Sequence, residues 1–315
     1  MKKIEKILLA TDFTRASEDA QKMAASLAAK SASKIYLLHV IPKAIQLYGR
    51  SLDQTPLLQE STNVLGEYAD EIRRGGVSEV ETLLVSGNPQ EEIISQADTL
   101  GVNVIMIGSG DKDRGDRFPL GVTAQNIIRS TATPVWVVRR GSSAGIKSIL
   151  CPVDFSEHSR RAVVNAADLS RMFGAKLQVL AVAENLSRVY RGMPLYLGKG
   201  EADGKRHCKK ELDKFLRDFD FEGMAYNRAV RYGEPHEEVL KAASEMGADL
   251  MVMGSIGRTG LTRVLMGSVA EKIARELPCS LIMMKAQDLV EQSRTIKAKN
   301  RKAGSKFELL EKMPR

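Results

Sequence analysis

Residues 249–277 read DLMVMGSIGRTGLTRVLMGSVAEKIAREL. The stretch opens as a short unbroken apolar run, passes through a loop from Gly254 to Ser268 with four glycines and no acidic residue, and closes with apolar residues at helical spacing. A continuous apolar run of strand length, bounded by turn residues, fits a strand buried on both faces. Glycine lets backbone N–H groups approach a ligand closely and tolerates positive φ. The helix start that follows presents unpaired N–H donors and a partial positive charge. Strand, glycine loop and helix together make a site for an anion, most naturally a phosphate.

The same arrangement occurs earlier in the chain. SGNPQEEIISQADTLGVNVIMIGSG, from Ser86, falls on YGEPHEEVLKAASEMGADLMVMGSIG, from Tyr232. Gly87, Pro89, Glu91, Glu92, Gly101 and Gly108 meet Gly233, Pro235, Glu237, Glu238, Gly247 and Gly254. Upstream, Asp12-Phe13 falls on Asp154-Phe155, and KIYLLHV from Lys34 falls on KLQVLAV from Lys176. Partners stay about 142–146 residues apart. So many matches in register mark an internal repeat. The chain reads as two copies of one domain, residues 1–143 and 144–286, joined through RRGSSAGIK and followed by a basic tail, 287–315.

Each copy alternates strand and helix. IEKILLATD and IKSILCPVD read as first strands, followed by Ala-rich helices capped by Thr14 or Ser156. Second helices are expected near Glu60–Arg74 and Lys209–Asp218, third strands at VETLLVSG and YNRAVRYG, and third helices after Pro89 and Pro235. TPVWVV and CSLIMM read as fifth strands, whose edges are expected to pair within the chain. The expected fold class is α/β: two tandem doubly wound domains, each a five-stranded mostly parallel sheet with helices on both faces. Ligands bind such sheets outside the carboxyl ends of the strands.

Composition narrows the class. The chain has 315 residues, 43% hydrophobic and 27% charged, with aromatics at only 5%. No apolar run reaches membrane-spanning length, and MKKIEKILLATD turns polar too soon for a signal peptide, so no membrane association is expected. Cys151, Cys208 and Cys279 form no CxxC pair, which favours a reducing cytoplasmic setting over a disulfide or zinc framework. Cys151 and Cys279 lie in or beside apolar strands, whereas Cys208 lies in a polar stretch and is expected at the surface. Net charge is +8, and residues 287–315 hold eight Lys/Arg against four Asp/Glu. The tail's basic run AKNRKAGSK lacks interleaved aromatics and any recognition module, so nucleic acid is not the expected partner. Walker and dinucleotide glycine patterns are absent, and no catalytic set or metal cluster can be named.

Taken together, G-2x-G-9x-G-[ST] from Gly254 to Ser268, the Asp closing the first strand, and the DFS and GEPHEE segments in register resemble the universal stress protein family. The resemblance covers about nine-tenths of the chain. It implies an adenine nucleotide site in the second copy, holding ATP with Mg²⁺. Pro152, Val153 and Asp154 resemble the strand end that meets adenine and ribose, and Val182 the backbone that pairs with the adenine edge. Met253, Gly254, Gly257, Gly267, Ser268 and Val269 match the ribose and phosphate loop, with Arg258 and Arg263 within it. A plainer reading stands beside each: Asp154 as a turn cap, the glycines as turn formers, the arginines as solvated side chains.

The first copy departs from the pattern. Asp111 stands where Gly257 does and Val122 where Ser268 does, while Asp113 and Asp116 add negative charge. A carboxylate repels phosphate and valine donates no hydrogen bond. ATP binding is therefore expected in the second domain only. The function expected is a nucleotide-responsive regulatory module in stress response, acting on an unknown protein partner. The alternatives are a slow ATPase, or a nucleotide-independent scaffold whose domains supply dimer surfaces, with a homodimer of the whole chain compatible with either.

Overall fold

The computed structural model describes residues 4–43, 55–110, 120–142, 145–184, 201–255 and 266–285. In the first half these form β1 (Lys6–Thr11), α1 (Arg15–Ser31), β2 (Lys34–Pro42), α2 (Thr55–Arg74), β3 (Val80–Gly87), α3 (Pro89–Leu100), β4 (Val104–Gly108), α4 (Val122–Ser130) and β5 (Val135–Val138). The second half repeats the order as β6 (Ser148–Val153), α5 (Glu157–Phe173), β7 (Lys176–Glu184), α6 (Glu201–Leu216), β8 (Tyr226–Gly233), α7 (Pro235–Glu245), β9 (Leu250–Gly254), α8 (Ser268–Glu276) and β10 (Ser280–Met284). The basic tail lies outside the described residues.

All ten strands join one sheet in the order β3-β2-β1-β4-β5-β10-β9-β6-β7-β8. Within each half the neighbours run parallel, as the unbroken apolar runs require. The halves meet where β5 pairs antiparallel with β10, Trp136 opposite Ile282. TPVWVV and CSLIMM thus cover each other's edges. Because that central pair is antiparallel, the carboxyl ends of β1 and β4 and those of β6 and β9 point to opposite edges of the sheet.

Alternate strand residues feed two cores, one on each face. Ile7, Leu9, Ile149 and Cys151 pack with α1, α2, α5 and α6. Leu8, Leu150, Met251 and Met253 pack with α3, α4, α7 and α8. Each core runs through both halves, so the repeat is buried as one body. Thr14 and Ser156 cap α1 and α5 by accepting from Ser17 N and Ser159 N. Asn88 caps α3, and Pro89 and Pro235 occupy first turns.

Two expectations need correction. α2 and α6 begin at Thr55 and Glu201, earlier than the apolar spacing indicated. The opening of α6 is held by Glu201–Lys205 and Asp203–Arg206 ion pairs on an exposed face rather than by burial. Cys208 is buried, not exposed. It shares the inner stripe of α6 with Leu212, Phe215 and Leu216 at helical spacing.

Candidate functional site

β6 ends at Val153, and the chain turns into α5 through Asp154, Phe155 and Ser156. Phe155 sits at φ 65°, in the left-handed region that a bulky residue rarely adopts. A hydrogen-bond network holds it there. Asp154 Oδ1 accepts from Ser156 N at 3.1 Å, from Ser156 Oγ at 2.6 Å and from Ser159 Oγ, while Asp154 N donates to Ser159 Oγ at 3.0 Å. The first half builds the same turn: Phe13 at φ 60° and Asp12 Oδ1 accepting from Thr14 N and Thr14 Oγ1. Asp154 therefore does act as a turn cap, and the turn fixes its carboxylate at the carboxyl edge of the sheet.

β9 lies beside β6, with Gly254 at its end. A Cβ at Gly254 would lie 2.7 Å from His158 Cβ. The first turn of α5 rests on this glycine, which gives it a packing role of its own. His158 Nε2 is buried with no hydrogen-bond partner. Burial, and then the charge of Arg161, hold the imidazole below its usual pKa; Asp154 opposes and Lys285 adds to the lowering. His158 is thus neutral at pH 7. One turn further, the buried Arg161 donates from Nη1 to Lys285 O at 3.0 Å. Ser255, wholly buried, has a hydroxyl without a hydrogen-bond partner beside the same strand end.

α8 starts across this edge. Gly267 is its N-cap, with ψ 146° and no side-chain cap. Gly267 N donates to Ser255 O at 2.8 Å and closes the base of the loop. Ser268 and the residues after it bring first-turn N–H groups that no side chain caps. The equivalent helix α4 begins at Gly121 in the same way, but its first residue is Val122, 69% exposed.

The expected residues divide as follows. Pro152 and Val153 are buried in β6, and Val182 is half-buried in β7, one residue past the Val153–Ala181 pair. Met253 is buried at the end of β9 on the face of α7 and α8. The sheet order brings Asp154, Val182, Gly254, Gly267, Ser268 and the half-buried Val269 to one edge, at the point where the connections from β6 and β9 diverge. Gly257, Arg258 and Arg263, and in the first half Asp111, Asp113 and Asp116, lie outside the described residues. Sequence reasoning missed His158 and Arg161. Their signal was available, since they stand in register with Ala16 and Asp19.

A sequence model of the universal stress protein family matches residues 3–139 and again residues 145–285. A universal stress protein of Methanocaldococcus jannaschii is 30% identical over 152 residues, 47% of this chain and 87% of that protein. One from Thermus aquaticus is 30% identical over 145 residues, 44% of this chain and 98% of its own length. Among solved structures, a universal stress protein from Archaeoglobus fulgidus superposes with TM-score 0.67 at 21% identity, covering 90% of this chain and 99% of that one. The last likeness bears on the fold.

Proposed function

The chain is a tandem two-domain member of the universal stress protein family, and from that premise we propose that its second domain binds ATP and serves as a nucleotide-responsive regulatory module. The observation that carries this reading is the start of α8. A helix N-terminus without a side-chain cap, opened by Gly267 and Ser268, stands at the sheet edge where β6 and β9 diverge. Such a terminus stabilises anionic oxygens through its open N–H groups and its dipole.

In this reading Ser268 donates its hydroxyl to a phosphate, with Val269 N beside it. Pro152, Val153 and Val182 border the adenine, whose edge pairs with the Val182 backbone. Asp154, fixed by its turn, accepts from the ribose. Met253 and Gly254 floor the ribose, and Gly257 and Arg258 complete the phosphate loop. Among the described residues no group of three or more His, Cys, Asp or Glu could hold a metal. Mg²⁺ would therefore be held by the phosphates and complete their charge balance. The first domain, with Val122 in the place of Ser268, is assigned no nucleotide. It serves instead as the fixed half of an intramolecular pseudo-dimer, built on the β5–β10 pairing.

The test is calorimetric titration of the full chain with Mg-ATP, beside Ser268→Val. The variant installs the residue that the first half already carries at that place, so the fold should survive. Wild type should bind one nucleotide per chain. The variant should bind about tenfold more weakly, the worth of one hydrogen bond to a charged group. Two equal sites would defeat the single-site assignment, and an unchanged affinity would defeat the placement of the phosphates.

A further inference from the structure

The outer helices of the two halves are built alike and charged oppositely. α2 lies over β2 and β3 and α6 over β7 and β8, on one face of the sheet and at its two ends. One ring contact fixes their correspondence. Tyr68 on α2 meets Phe13 edge-on at 5.4 Å, and Phe215 on α6 meets Phe155 edge-on at 5.5 Å. Counted from that pair, buried Leu65 and Ala69 fall on buried Leu212 and Leu216. The exposed Asn63, Glu67 and Asp70 fall on the exposed Lys210, Lys214 and Arg217, the last just past the end of α6. Equivalent outward positions thus carry carboxylates at one end of the molecule and cations at the other.

Local ion pairs leave these two stripes uncancelled. On α6 the carboxylates are engaged nearby: Glu201 with Lys205, Asp203 with Arg206 at 2.9 Å and Asp213 with Arg228 at 3.2 Å. Lys210, Lys214 and Arg217 have no ion-pair partner among the described residues, and neither have Glu60 and Glu67 on α2. Asp70 pairs with Arg73 at 2.7 Å, but both are exposed, and such a pair holds its members only weakly. Between the stripes, Val164 of α5 is 41% exposed and adds an apolar side chain to the same outer surface.

Complementary stripes at opposite ends of one face match a second copy of the chain turned over. We propose that the chain forms a two-fold dimer through this face, with the α2 stripe of each copy on the α6 stripe of the other. β5 and β10 are antiparallel, so α2 and α6 run in opposite directions. A two-fold axis parallel to the strands sets each α2 over the other copy's α6, with the helices antiparallel. Both contacts form at once, and the assembly closes. The other in-plane two-fold, across the strands, would lay α2 on α2 and α6 on α6 with like charges opposed. Charge therefore selects one arrangement of the two. A single exposed pair contributes little, so the dimer rests on several pairs together and is sensitive to salt. The inference concerns the helical face and does not rest on nucleotide binding at the sheet edge.

The test is sedimentation velocity of the full chain at about 50 mM and about 500 mM salt. The chain should be dimeric at low salt, and association should weaken about tenfold or more at high salt. Lys210→Glu with Lys214→Glu, and separately Glu67→Lys with Asp70→Lys, set like charges against each other at both contacts. Each double variant should associate about a hundredfold more weakly. All four positions are exposed, so the fold should survive. Mixing the two double variants restores opposite charges at both contacts and should return the dimer, as should all four changes in one chain. The proposal is overturned if wild type is monomeric at low salt, if it grows past the dimer, if either double variant dimerises as wild type does, or if the mixture stays monomeric.

Discussion

Gly108 and Gly254 occupy one place in the two halves, and both are crowded from above. A Cβ on Gly108 would lie 2.5 Å from Ala16 O and 2.8 Å from Ser17 N, whereas a Cβ on Gly254 would meet His158 Cβ at 2.7 Å. The helix after the first strand rests on this glycine in each half. That requirement accounts for its presence in the first half, where Asp111 and Val122 stand in the places of Gly257 and Ser268. Gly254→Ala should cost about 1–3 kcal/mol in urea unfolding, the range for overpacking. Gly108→Ala should cost at least as much, because backbone rather than side-chain atoms must give way. The cysteines make a second prediction at this scale. All three are buried. Burial pushes the Cys279 thiol up to about 12 and the Cys151 thiol up as well. Ellman's reagent should find no fast-reacting thiol in the native chain and all of them after urea. Rapid labelling of Cys208 would show that the inner stripe of α6 does not hold.

Among the elements, the carboxyl end of α4 is served from across the seam. Lys285, buried just past β10, donates from Nζ to Ile128 O, and so satisfies a helix-end carbonyl and meets the negative end of the helix dipole. Burial lowers its pKa from 10.5 to about 8. The sign follows directly. Below about pH 8 the folded and unfolded chains both carry this proton, and the burial penalty is constant. Between about 8 and 10.5 the unfolded chain binds more protons than the folded one, so the contribution of Lys285 to stability rises with pH. Relative to Lys285→Met, wild type should gain about 2 kcal/mol in unfolding free energy between pH 8 and pH 10. A difference that stays flat would mean the ammonium is not desolvated. The early start of α6 belongs to this scale too. Its first turns bury little, and their ion pairs leave no apolar period to read.

For the whole molecule, the shared sheet predicts shared unfolding. Trp136, the sole tryptophan, is 1% exposed on β5 opposite Ile282 of β10. Arg129 on α4 bridges to Glu271 on α8 at 2.7 Å beside that seam. Two cores that each run through both halves leave neither half a separate body. Tryptophan fluorescence and far-ultraviolet dichroism should therefore give one coincident transition in urea, and Trp136→Ala should lower stability by about 3–5 kcal/mol. Two resolved transitions in wild type would show that the seam couples the halves only weakly.

The sequence by itself determined the alternation of strand and helix, the repeat, the parallel order within each half and the family. These rest on apolar periodicity, caps and register, which are written in neighbouring residues or in residues at one fixed offset. It also placed Asp154, Gly267 and Ser268 at one strand edge, because a doubly wound sheet leaves them nowhere else. Only the tertiary structure decided what faces what. It set α5 upon Gly254, turned Cys208 and Arg161 inward, seated Lys285 against α4, and joined Gln21 of α1 to Glu71 of α2. Such neighbours come from different helices brought together by crossover connections, and no local pattern encodes them. Side-chain burial and partnership are properties of the packed layers, and the layers exist only once the sheet has closed across β5 and β10.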